Sequence, residues 1–290
     1  MLMPIGASVA GLLKAFDVAA AGPDRFVGVT GPVGADGRRV AKGTQALGQA
    51  IVATAKTFPD KTIRSAHAVF TRPVEIDSTV ELTVDVAHHG RSTATAVVAV
   101  EQNSRLCATV TVLADVPTAD VVSHRALRPD VDTPDDARPA RQAMAGHELR
   151  LVDVTDVNSP DEVGPPELYA WLRCDPIPER DDLAKALLAY FTGQLGISTT
   201  MRPHRGVGTA QAHTRVSTAL MSTAVSFHEV VEWEDWLLYS HESTAAGRGM
   251  SYVRGQVHTE DGELLASFAQ EGLIRPMRRT DASIDVPARL

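Results

Sequence analysis

Residues 264–275, LLASFAQEGLIR, alternate as a β-strand does, and Leu264, Ala266, Phe268, Gln270 and Ile274 fall on one face. That face is apolar except for Gln270. A neutral amide there has four hydrogen-bonding sites to satisfy, so it needs a polar partner or a cavity. Glu271 falls on the opposite face, where solvent or a hairpin partner would take it. The same period recurs in IRSAHAVFTRPVEI, TVELTVDVAHHG, RSTATAVVAVEQ and RLCATVTVLADV, and again in ALMSTAVSFHEVV, DWLLYSHESTAAG and RGMSYVRGQVHTEDG. Threonine and valine suit such strands, and Gly90, Gly247 and Asp261-Gly262 mark hairpin turns. Each group of strands follows a helical stretch, GTQALGQAIVATAKTFPD before the first and DDLAKALLAYFTGQLGI before the second. A short amphipathic helix is expected over residues 7–17.

The register repeats as well as the order. Phe70 and Phe227 stand 157 positions apart, and the same offset links Val74 to Val231, Gly90 to Gly247, Arg91 to Arg248 and Val100 to Val257. With one residue added for the longer turn at Gly262, Leu106 meets Leu264, Ala108 meets Ala266 and Val112 meets Gln270. Several matches at one offset imply duplication, and Val112 implies that the first half is structural. A helix of about four turns buries itself by having the strands wrap round it. That is a hotdog, and the chain reads as an α+β double hotdog. The halves are 1–115 and 151–278, with a Pro-, Asp- and Ala-rich connector over 116–150 and a tail over 279–290. A ferredoxin-like pair would need a second helix in each half.

Composition narrows the function. Apolar residues make up 44% and charged residues 22%, which predicts a packed core. A net charge of −8 argues against nucleic acid or an anionic membrane as the main partner. The opening MLMPIGASVAGLLKAFDVAA lacks a basic residue ahead of its apolar run and is broken by Lys14 and Asp17, so it is not read as a signal peptide. No apolar run is long enough for a membrane span. Cys107 and Cys174 read as reduced thiols of a cytoplasmic protein. No G-x-S-x-G elbow is present, and HESTA and HEVVE lack the second histidine of a zinc helix, so no metal site is expected.

The run EDWLLYSHESTAAGRGMSYVRGQVHTEDGELLASFAQEGLIR, with ALLAYFTGQLGI and RPHRG, resembles the C-terminal half of the TesB-type acyl-CoA thioesterases (acyl-CoA thioesterase II). GTQALGQA, AHAVFTRP and LLKAFDV resemble the same family's N-terminal half. The resemblance covers nearly the whole chain apart from the connector. It implies a double hotdog that hydrolyses fatty acyl-CoA to free acid and CoA, with no cofactor beyond the CoA of the substrate.

In that family an aspartate on the second helix, a Thr or Ser on the following strand and a glutamine on the last strand hold the attacking water. The glutamine falls on Gln270, but the aspartate falls on Gly193 and, counted without gaps, the hydroxyl on Leu220. On the second helix Leu183, Leu187, Tyr190, Phe191 and Leu195 form an apolar stripe with Gly193 just beyond one edge and Gln194 near its centre. Gln194 is thus the nearest inward polar group, although an amide is no general base. Thr218 and Ser222 share Leu220's face by alternation and are the candidate hydroxyls. Asp181 and Asp182 read as residues favoured at a helix N-terminus.

Donors for the substrate are sought at Gly43 and Gln45 in KGTQAL, at His204 in RPHRG and at Arg254, which could meet CoA phosphates along with Arg248 and Arg275. His228 is the other histidine of interest. The expectation is an acyl-CoA thioesterase with an altered site. The alternative is an acyl-CoA-binding protein of the same fold that turns over very slowly or not at all. A hotdog hydratase would need an Asp and a His about five apart beside the site helix, and the second helix has neither. Association into a homo-oligomer is left open.

Overall fold

Ser8 caps the first helix by accepting the Gly11 N–H at 3.0 Å, and α1 (Val9–Phe16) buries Val9, Leu12, Ala15 and Phe16. The computed structural model describes residues 8–31, 39–140 and 144–277, so the expected tail at 279–290 lies outside the described residues. After α1 come β1 (Ala19–Gly22), β2 (Arg25–Val29), β3 (Val40–Ala41), α2 (Gly43–Thr57), β4 (Thr62–Phe70), β5 (Val74–Glu75), β6 (Thr79–His89), β7 (Thr93–Gln102) and β8 (Arg105–Asp115). The chain then crosses through β9 (Arg138–Pro139) and β10 (His147–Leu151) to β11 (Glu167–Cys174). The second half continues with α3 (Asp181–Thr192), α4 (Gly196–Met201), a short 3-10 turn at Thr209–Gln211, β12 (Val216–Phe227), β13 (Leu237–Gly247), β14 (Met250–Thr259) and β15 (Leu264–Pro276).

Thirteen strands form one antiparallel sheet in the order β1-β2-β6-β7-β8-β4-β12-β15-β14-β13-β11-β10-β9. The fold is the expected α+β double hotdog, each half a meander about a central helix. The halves join where β4 pairs with β12, and His67 stands opposite Ala224, its own equivalent at the 157-residue offset. The neighbouring pairs Ala66–Val225 and Ala68–Thr223 exchange under the same offset. A quasi-two-fold axis therefore passes through this junction, and the duplication seen in the sequence is the symmetry of the sheet.

Alternation found the eight long strands but missed β2 and β11, which extend each half. RFVGV is short, and ELYAWLRC is apolar without a clean period. The connector region contributes β9 and nearly all of β10. It also packs: Trp171 Nε1 donates to Asp132 O at 2.8 Å, and the guanidinium of Arg128 lies over the Trp171 ring.

Inside the sheet α2 and α3 lie side by side, with α1 against both. From Thr44 to Thr54 every residue of α2 is buried, and its two glutamines are satisfied by backbone. Gln49 Nε2 donates to Ala15 O and Val29 O, and Gln45 Nε2 to Val29 O. Gly48 makes the close approach possible, because a Cβ there would stand 2.7 Å from Phe16 Cε1 and 3.3 Å from the Ala186 carbonyl of α3. Gly48→Ala is therefore expected to destabilise the fold by about 1–3 kcal/mol, outweighing its gain of about 1 kcal/mol in helix propensity. The check is the urea midpoint at unchanged m, and a midpoint that rose would mean the helices separate freely.

Three histidines are buried, and two of them pack on core rings, His147 stacked on Phe191 and His241 edge-on to Phe268. Burial holds both imidazoles down at about 4, and the Lys42 charge adds to the effect on His147. The unfolded chain takes up these protons near pH 6.5, whereas the fold stays neutral down to about 4. Stability is thus complete above pH 6.5 and lost as pH falls, by up to roughly 1.4 kcal/mol per pH unit for each imidazole. Urea midpoints measured between pH 7.5 and pH 4.5 should decline accordingly. A flat profile would count against neutral burial.

Candidate active site at the helix break

The second helix was expected to run unbroken through Gly193 to residue 197; it ends at Thr192. There the Thr192 hydroxyl turns back to donate to Ala189 O at 2.8 Å, and Gly193 forms the C-cap. The chain then restarts as α4 at Gly196, whose backbone lies so close to β15 that any side chain at 196 would collide with Gln270 Oε1. Gly193 is therefore a helix end, not an interior glycine. Its missing side chain has been replaced by neighbours: a Cβ at 193 would stand 2.6 Å from Thr44 Cγ2, 3.2 Å from Thr44 Oγ1 and 3.3 Å from Leu220 Cδ2. Thr44 lies in the first turn of α2, so the first half reaches into the second half's site.

Strand β12 corrects a second expectation. Leu220 pairs with Gly272 and Thr218 with Ile274, so both face inward with Gln270. At Met221 the register shifts, and beyond this bulge Ser222 pairs with Glu271 while Thr223 pairs with Gln270. Ser222 therefore does not share Leu220's face. It points outward, and its hydroxyl donates to Glu271 Oε2 at 2.9 Å. Thr223 takes the inward position and is fully buried between Ala68 of β4 and Gln270 of β15. One extra residue exchanged the two hydroxyls. The parity change was visible, since Thr218 and Leu220 are even while Val225 and Phe227 continue the apolar face on odd numbers.

Four polar atoms about this break are buried without a hydrogen-bond partner among the described residues: Thr44 Oγ1, Gln194 Oε1, Thr223 Oγ1 and Gln270 Nε2. Each costs about 1–3 kcal/mol unless something outside the chain satisfies it. The side chains nearest the Cβ positions of Gly193, Gly196 and Gly272 are Thr44, Leu220, Gln270, Val253, Ser251 and Ile197, none of them acidic. These side chains can donate through an amide and through hydroxyls, and none of those nearest the three glycines is a carboxylate that could take a proton. His241 lies beneath the last turn of α3, with Nε2 3.4 Å from Thr192 O, and burial keeps it neutral.

The other candidates lie apart from this cluster. Thr218 is inward and nearly buried, with Oγ1 3.3 Å from His213 Nε2. Gly43 packs on the Phe70 ring, and Gln45 is bound to Val29 O. His204 is exposed in the loop after α4. Arg254 projects from the outer face of β14 and forms a two-pronged ion pair with Glu242, at 3.0 and 3.1 Å, on the side opposite Gln270. His228 follows β12 with Nε2 2.9 Å from Ser267 Oγ, and burial lowers its pKa. Thr44 and Thr223 were the residues that alternation and helical spacing did not single out. Thr44 needed a tertiary contact to be seen, whereas Thr223 needed only the parity change.

Comparisons with known proteins identify both halves of the chain. Residues 33–114 match the family model of the acyl-CoA thioesterase N-terminal domain and residues 124–274 that of the C-terminal domain. The chain is 28% identical over 259 residues to acyl-CoA thioesterase 2 of Haemophilus influenzae, covering 82% of this chain and 89% of that protein. It is 26% identical over 269 residues to acyl-coenzyme A thioesterase 8 of Rattus norvegicus, covering 83% and 82% respectively. Among solved structures, a tesB protein of Mycobacterium avium subs paratuberculosis has the same fold, with a TM-score of 0.78 at 22% identity over 93% of this chain and 100% of that one. Both matched domains are present in order, and the second contains the helix break, the bulged strand and Gln270: the chain belongs to the acyl-CoA thioesterase family.

Proposed function

We propose that the chain hydrolyses acyl-CoA thioesters at an amide-and-hydroxyl site made by Gln270 and Thr223, with turnover limited by the missing carboxylate. The observation that carries this reading is the cross-strand pair itself. Thr223 Oγ1 and Gln270 Nε2 are buried on adjacent strands, directly opposite in register, and neither has a partner among the described residues. Such a pair suits a water molecule or a thioester carbonyl. Water adds to the carbonyl carbon, the carbonyl electron pair moves to oxygen, and the tetrahedral intermediate collapses as the C–S bond breaks. The water's proton ends on the CoA thiolate, giving free acid and CoA. The amide N–H and the hydroxyl hold the water and the developing oxyanion. Removing a positioned base typically costs about 10²–10⁴ in rate, which sets the expected deficit.

Family membership and the names of the relatives support acyl-CoA as the substrate. Two buried free thiols, Cys107 and Cys174, suit a reducing compartment such as the cytoplasm. No helix among the described residues is long and apolar enough to cross a membrane. A second reading, acyl-CoA binding without turnover, draws on Thr44, whose side chain stands where a catalytic carboxylate would need room.

Release of CoA from acyl-CoA thioesters of several chain lengths distinguishes the two, with detection that does not depend on a thiol reagent. Slow release that falls at least about tenfold in Gln270→Ala, at unchanged melting temperature, is the expected result. Saturable binding by calorimetry without release would establish the second reading instead.

Thr223→Val separates function from stability. It is nearly isosteric and removes a hydroxyl that has no partner among the described residues, so the melting temperature should hold or rise. CoA release should fall by about tenfold or more. A loss of stability together with unchanged release would remove Thr223 from the site.

A further inference from the structure

The space beside Gly193 is filled, and it is filled from the other half of the molecule. Thr44 is buried, its hydroxyl has no partner among the described residues, and its Cγ2 and Oγ1 lie 2.6 and 3.2 Å from where a Cβ at 193 would be. Contacts of 2.6 Å between carbon atoms do not occur, so even alanine at 193 requires Thr44 to shift. Leu220 closes the remaining side at 3.3 Å and stands on the inner face of β12 that also carries Thr223.

We infer that Thr44 and Gly193 are one coupled pair that sets the turnover of this site: Thr44 occupies the room of a side chain at 193 and so holds the site in its form without a carboxylate. The claim about rate rests on the hydrolytic reading above, whereas the steric coupling does not. Electrostatics would not oppose a carboxylate here. The C-terminal end of α3 disfavours one, but the first turn of α2, which carries Thr44, brings the favourable end of a second helix to the same point. Sterics is therefore the term that decides. With Thr44 trimmed, a carboxylate at 193 has the space to accept the attacking water's proton and return it to the departing thiolate.

A double-mutant cycle on the full chain tests this, using Gly193→Asp, Thr44→Ala and the two combined, each measured for melting temperature and for kcat and KM of CoA release. Gly193→Asp alone is expected to lower the melting temperature by roughly 3–10 °C. Adding Thr44→Ala should restore at least half of that loss. The double variant should exceed the natural chain in kcat by about 10²-fold at similar KM, and Gly193→Asp alone should gain less than a tenth as much. Additive temperature shifts would overturn the pairing, and restored stability without a gain in kcat would overturn its control of turnover.

If the natural chain releases no CoA but the double variant does, the inference stands and the hydrolytic reading of the natural chain fails. If the natural chain turns over and the double variant does not exceed it, the reverse holds. Should both aspartate variants fail to fold, Gly193→Ala in the two Thr44 backgrounds reads the same coupling, and additivity there overturns it as well.

Discussion

The antiparallel contact between α2 and α3 is the constraint on which the rest of the molecule depends. It brings the first turn of α2 against the last of α3, where Thr44 meets Gly193. At the opposite end the chain leaving α2 meets the start of α3, and Thr62 Oγ1 donates to Asp181 Oδ2 at 3.0 Å. Each helix thus sets its positive end beside the negative end of the other, an arrangement that is favourable and that repeats under the two-fold. The helices approach this closely because Gly48 leaves its Cβ position to Phe16 and the Ala186 carbonyl. One hotdog sheet cannot enclose both helices. The two sheets therefore fuse edge to edge through β4 and β12, and that seam places Thr223 between the halves.

Symmetry makes the polarity of the site informative. The pair Thr223–Gln270 in β12 and β15 has an equivalent in β4 and β8, where the register sets Ala66 against Val112. Those two residues are apolar and buried, as a core requires. Nothing in the backbone distinguishes the pairs, so the fold itself gains nothing from polarity at Thr223 and Gln270. Two unpartnered buried groups at about 1–3 kcal/mol each are a burden the first half avoids. The proposed function accounts for the asymmetry through ligand chemistry, and the second half alone carries it among these paired positions.

Period-two alternation and a constant offset were enough to read the double hotdog, because both halves of the sheet have one buried face and that face writes itself into every strand. What stayed hidden has identifiable physical causes. β2 and β11 are short or apolar on both faces, so no period marks them. The break after Thr192 depends on Gly196 descending onto Gln270, a contact between distant segments. Gln270 was legible because an amide on an apolar face is anomalous locally. Ser222 was misplaced because counting without gaps assumes that a strand has no bulge, although the parity of Val225 and Phe227 contradicted it. Thr44 could not be read at all: its significance lies in the space it shares with a glycine from the other half.

That shared space also decides what kind of deficit the proposed site would have. Had the carboxylate been lost and its room left open, a water molecule there could relay a proton from the attacking water, and the loss would be partly offset. Thr44 fills the room with a methyl group and a hydroxyl, and a hydroxyl is far too weak a base to accept a proton near neutral pH. On the proposed hydrolytic reading Gln270 and Thr223 supply the donors, so stabilisation of the oxyanion, commonly the larger contribution, is kept while proton acceptance is lost. A site altered in this way still favours binding the thioester over binding nothing, and its chemistry falls to the reactivity of the thioester and of the leaving thiolate. On that reading, hydrolysis and mere binding differ by a single group.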